Sequence, residues 1–94
     1  MPFQIVLSTD AITDIDEAVD YYNKVSDGLG FEFINTLDSF FNKICWLPTA
    51  SAIRYDNVRV KPIDTFPFTI HFIIDSPSII IVLRVFNTNR NPFW

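Results

Sequence analysis

Among the side chains in the second half of this sequence that could meet an anion or move a proton, the candidates are Arg59, Lys61, His71, Arg84 and Arg90. A guanidinium offers a planar fork of donors that fits phosphate or carboxylate oxygens, a lysine a compact charge, and an imidazole a proton relay near neutral pH. The same residues also suit plainer roles, since outward strand positions are often Arg or Lys and a lone strand histidine is often a packing residue. Other chemistries lack their groups. One His and one Cys do not make up the usual nitrogen and sulfur donor set of a metal centre. Asp16, Glu17 and Asp20 read as the solvated face of a helix. There is no glycine-rich phosphate loop, nucleophile elbow or paired catalytic carboxylates, so neither metal nor cofactor is expected.

The elements that must position these groups are legible from pattern. Residues 3–7 form a short β-prone run, and Ser8 follows as an N-cap with Asp10 in the first helical turn. Apolar residues recur at three and four positions through Ile15 and Val19 to Tyr22, leaving Asp14, Asp16, Glu17, Asp20 and Lys24 toward water, and Ser26-Asp27-Gly28 ends that helix. A second helix is expected over 30–46, with Ile34, Leu37, Phe41 and Ile44 on one stripe, Phe33 and Phe40 beside it, and Pro48 closing it. Strands are expected over 53–60, 66–74 and 79–86, the last two joined by the turn Asp75-Ser76-Pro77-Ser78. The result is an α+β fold: an N-terminal strand, then an antiparallel helical hairpin packed on one face of an antiparallel sheet.

Period-two alternation then fixes which side chains project together. Phe66, Phe68, Ile70, Phe72 and Ile74 are expected toward the helices, with Thr69 and His71 away. Val58 and Val60 are expected inward, and likewise Ile79, Ile81, Leu83 and Val85, leaving Ile80, Val82, Arg84 and Phe86 outward. Arg59, Lys61, His71 and Arg84 would then share the face opposite the helices, with Arg90 joining from the tail.

Composition bounds the class. A chain of 94 residues, 49% apolar and 16% aromatic with 19% charged, is expected to be one domain, 1–94, with a core of its own. A single Cys45 gives no internal disulfide, and no signal peptide or membrane-spanning run is recognised, so the cytoplasm is the expected compartment and no membrane partner is expected. The net charge of −4 argues against a binder that relies on an overall basic surface. That charge is uneven: eight acids and two bases precede Pro48, whereas three acids and five bases follow.

Several local strings resemble the RelE/ParE superfamily of type II toxin–antitoxin toxins, in particular the plasmid stabilisation group. They are Ser8-Thr9-Asp10-Ala11, Ala18-Val19-Asp20-Tyr21-Tyr22-Asn23, Gly28-Leu29-Gly30, Phe66-Pro67-Phe68-Thr69-Ile70-His71-Phe72, and the closing Val85-Phe86-Asn87-Thr88-Asn89-Arg90-Asn91-Pro92-Phe93-Trp94. The resemblance implies a growth-inhibiting toxin neutralised by a cognate antitoxin that folds over it, as a homodimer or within a toxin–antitoxin hetero-oligomer. Within that superfamily RelE-like members cleave messenger RNA on the ribosome, and ParE-like members poison DNA gyrase.

For RelE-like cleavage, Arg59 and Lys61 match the cationic group of the sheet, and Arg84 or Arg90 a later one. Thr69 stands where the middle-strand arginine is expected, and no tyrosine follows Tyr55. The resemblance therefore favours gyrase over ribosome and mRNA, with a degenerate, non-toxic antitoxin-binding protein as a third reading. Target contact is expected from Arg59, Lys61, Arg84, Arg90 and Trp94. Antitoxin contact is expected from Phe31, Phe33 and Phe40, because the second helix has more phenylalanines than one stripe needs.

Overall fold

The computed structural model describes residues 2–90. Ser8 initiates the first helix as expected, its hydroxyl accepting the Ala11 N–H at 3.1 Å. Helix α1 spans Thr9–Val25, with Asp10 in its first turn and Lys24 in its last, both complementing the helix dipole. Gly28 then takes a left-handed φ of +82°, which lets the chain reverse into α2, Leu29–Trp46. At the reversal Asn23 Oδ1 accepts the Gly30 N–H at 3.0 Å. The buried stripe of α2 is Phe33, Leu37, Phe40 and Ile44, one residue off the expected centre, with Ile34 and Phe41 at its margin.

Five strands follow the sheet order β1-β5-β4-β3-β2, with β1 Gln4–Leu7, β2 Ile53–Tyr55, β3 Val58–Pro62, β4 Phe68–Ser76 and β5 Ile79–Asn87. The run expected as one strand over 53–60 is two, because a turn at Asp56, φ 47°, folds β2 back on β3. All pairings are antiparallel except that of β1 with β5, where Gln4 faces Ile79 and Leu7 faces Val82. The two helices pack on one face through Phe33, Leu37, Ile44, Ile70, Phe72, Ile80, Val82 and Val85. Tyr22, Phe33, Phe66 and Phe68 add an aromatic cluster, with Phe33 and Phe66 edge to face at 5.3 Å between centroids.

The middle strand β4 behaves as its alternation predicts, with Phe68, Ile70 and Phe72 toward the helices and His71 opposite. Two expectations about the flanking strands are corrected. In β3, Arg59 is paired with Phe72 and Lys61 with Ile70, so both cations are on the helical side, and Val60, paired with His71, is on the far side. In β5, Ile80, Val82 and Val85 face the core rather than Ile79, Ile81 and Leu83. The cause is a bulge: His71 pairs with Arg84 but Phe72 with Val82, leaving Leu83 as the extra residue that shifts the phase.

Candidate functional site

The cationic groups divide between two places. His71 and Arg84 are register partners on the face away from the helices, whereas Arg59 and Lys61 share the helical side. The single converging patch expected from the sequence is therefore corrected to two separate clusters.

The far face is closed around its histidine. His71 is 0% exposed, and Val58, Val60, Thr69 and Phe86 near it are also buried. The Tyr55 hydroxyl is 2.9 Å from Nδ1 and Thr69 Oγ1 is 2.8 Å from Nε2. Burial raises the Tyr55 pKa, so the phenol stays a donor; Nδ1 is then the acceptor and Nε2–H donates to Thr69, an assignment made from the network. Burial pushes the His71 pKa down to about 4, and the positive charges of Arg84 and Arg54 push the same way against the weaker pull of Asp14. A neutral, enclosed imidazole with both nitrogens engaged is a structural hub, and it is poorly placed to exchange protons with a bound substrate.

Arg84 reaches past the edge of β5 to α1. Its Nε and Nη2 donate to Asp14 at 2.7 and 2.9 Å, and Asp14 also accepts the Val85 N–H at 3.0 Å. Ser8 works beside it, its N–H on the Val82 carbonyl at 2.9 Å and its hydroxyl donating to the Leu83 carbonyl at 2.8 Å. The start of α1 thus satisfies the edge of β5 where β1 stops. The expectation that Asp14 faces water is corrected: it sits three residues after buried Ala11 and four before buried Ala18, on the inward stripe of α1, and its side chain is only 13% exposed. A carboxylate on an apolar stripe is the signal that would have found it.

Beside this ion pair is a cleft of about 500 Å³ between α1 and the end of β5, with Glu17, Tyr21, Arg84, Asn89 and Arg90 on its walls. Arg90 is exposed there, and Tyr21 is 62% exposed. The cleft combines the exposed Arg90, an aromatic ring and amide groups, the features of a polar contact surface.

Arg59 is half-buried and donates through Nη1 to the Ser51 carbonyl at 2.8 Å, and Lys61 is half-buried at the margin of α2, 5.7 Å from the Phe40 ring centroid. Of the three phenylalanines expected to await an antitoxin, Phe31 is exposed at 69%, whereas Phe33 and Phe40 belong to the core. The α2 stripe uses them because it faces both α1 and the sheet, which needs more large side chains than a one-sided stripe. Trp94 lies outside the described residues. Among the described residues no helix is long and apolar enough to cross a membrane.

No protein-family model matches the chain, and the search of curated proteins returns no match. Among solved structures, it matches a chain of the "Chromosomal ParDE TA system from P. aeruginosa" with a TM-score of 0.79 and 16% identity, over 90% of this chain and 95% of that one. The likeness is one of fold, and it bears out the expected α+β architecture of a helical hairpin packed on one face of the sheet.

Proposed function

We propose that the chain is the toxin of a type II toxin–antitoxin system, acting in the cytoplasm by inhibiting DNA gyrase until a cognate antitoxin neutralises it. The fold shared with a chain of a chromosomal ParDE system supports the toxin reading. The disposition of His71 favours gyrase over messenger RNA. The histidine is 0% exposed and bonded at both nitrogens, and Arg59 and Lys61 project from the opposite side of the sheet. RNA cleavage asks for a proton acceptor and charge-stabilising groups around one phosphate. Poisoning a topoisomerase asks for a contact surface, which the cleft at Tyr21 and Arg90 supplies.

The purified chain should block gyrase supercoiling or trap cleaved DNA in a dose-dependent way, and its expression alone should stop growth. Intact gyrase activity at high excess, with cleaved messenger RNA in a primer-extension assay, would replace this reading with the RelE-like one. Unimpaired colony formation would leave a non-toxic antitoxin-binding protein.

A further inference from the structure

A second concavity lies on the helical side, away from the Arg84 cleft. It is a groove of about 430 Å³ where the end of α2 passes β3, with Lys43, Trp46, Leu47, Ala50 and Lys61 along it. Trp46 is 69% exposed and Leu47 61%, and Ile53 on the neighbouring strand β2 is exposed as well. Single exposed apolar residues are ordinary, but large ones gathered on a groove mark a surface that another molecule covers.

The charge around the groove identifies the kind of molecule. Lys43 Nζ lies 4.2 Å from the centroid of the Phe40 ring, and Lys61 Nζ approaches the same ring at 5.7 Å. Arg59 is two positions before Lys61 on the same strand face, and its guanidinium is anchored on Ser51, which also lines the groove. None of the residues lining the groove is acidic, and the ion pair found among the described residues is elsewhere, at Asp14 and Arg84. A positive rim around an apolar floor, on a chain whose net charge is −4, is a local inversion of the molecule's own electrostatics. Beside it, β2 is the last strand in the sheet order β1-β5-β4-β3-β2.

We propose that this groove binds an acidic segment of a partner protein, one that seats apolar side chains against Trp46 and Leu47 and sets carboxylates opposite Lys43 and Lys61. The apolar floor distinguishes such a segment from a nucleic acid, whose phosphates would gain from the two lysines but meet repulsion from the acidic remainder of the surface. The groove is argued from its own chemistry and rests on the toxin reading only for who supplies the segment, an antitoxin in that case.

The test uses the full chain and a synthetic amphipathic peptide with leucines on one helical face and glutamates on the other. Controls replace the glutamates by lysines or the leucines by serines, and a short single-stranded RNA serves as a further competitor. The acidic peptide should bind with a change in tryptophan emission that Trp46→Ser removes, and the lysine and serine versions should bind at least about tenfold more weakly. Lys43→Glu combined with Lys61→Glu, and separately Trp46→Ser at an exposed position, should weaken binding by about tenfold or more, with a native circular dichroism spectrum retained in each so that the loss is one of contact. Equal binding of acidic and basic peptides, full binding by the variants, preference for the RNA, or self-association of the chain abolished by Trp46→Ser would each overturn the assignment. Growth arrest is scored without any peptide, so failure here and failure of the toxin reading are separate results.

Discussion

Asp14 and Arg84, 70 positions apart, form a two-pronged ion pair in which the same carboxylate also receives the Val85 N–H. One side chain thus joins the first helix to the last strand by charge and by backbone. Asp14→Ala removes the guanidinium's carboxylate and orphans a backbone donor, and should lower the unfolding free energy by about 2 kcal/mol or more. Asp14→Asn, which keeps an acceptor, should lose less. Urea unfolding of the two variants beside the parent checks the order; equal stability of all three would show that the pair contributes nothing.

His71 makes stability depend on pH in a direction set by its low pKa. The unfolded chain takes up the proton near 6.5, whereas the folded one resists until about 4. Stability is therefore whole above pH 6.5, declines as pH falls below that value, and stops declining from this source below about 4. The loss is on the order of 3 kcal/mol across the window. Because His71 is the chain's one histidine, its imidazole resonances give an unambiguous titration. In His71→Gln, which retains a donor and an acceptor for Tyr55 and Thr69, the urea midpoint should become nearly flat between pH 6.5 and 4.5.

Gly28→Ala should destabilise the fold by about 1 kcal/mol, since the left-handed backbone there strains any residue with a Cβ. Nothing lies within 4 Å of the added methyl, so the effect is one of backbone alone. Thermal unfolding reads it, and an unchanged midpoint would mean that the turn relaxes to another conformation.

Two phenylalanines two residues apart on α2 should behave oppositely. Phe33→Ala empties a 0% exposed position and should cost about 3–5 kcal/mol. Phe31→Ser, at a position 69% exposed, should change stability by less than about 0.5 kcal/mol. Denaturant titration of both tests the placement of the α2 stripe directly.

Arg90→Glu should abolish growth arrest while leaving the unfolding midpoint unchanged, because the side chain is exposed at the cleft and takes no part in the core. A plate assay paired with a melting curve decides it. Retained toxicity would move target contact away from the Tyr21 cleft.

Much of the architecture could be read from local chemistry. Ser8 announced the start of α1, and the strict alternation of Phe68, Ile70 and Phe72 with Thr69 and His71 placed the histidine on its observed face. The neighbouring strands defeated the same reasoning for a common cause. Alternation tells inside from outside only when one face is wet, and here Val58 and Val60 are buried on the far face around His71. Apolar residues inward was thus the wrong rule for β3, and Arg59 and Lys61 were assigned to the wrong side. In β5 the run from Ile79 to Leu83 carries no phase at all, and the bulge at Leu83 has no glycine or proline to announce it. The groove at Trp46 was invisible for a different reason: it joins the end of a helix to a strand some fifteen residues later, a proximity that only the tertiary structure creates.

The parallel seam between residues 4–7 and 79–82 has a consequence for biosynthesis. Gln4 is made 75 positions before its partner Ile79, so the hydrogen bonds of β1 wait for β5, and a ribosome stalled before residue 79 holds a chain without that closing strand.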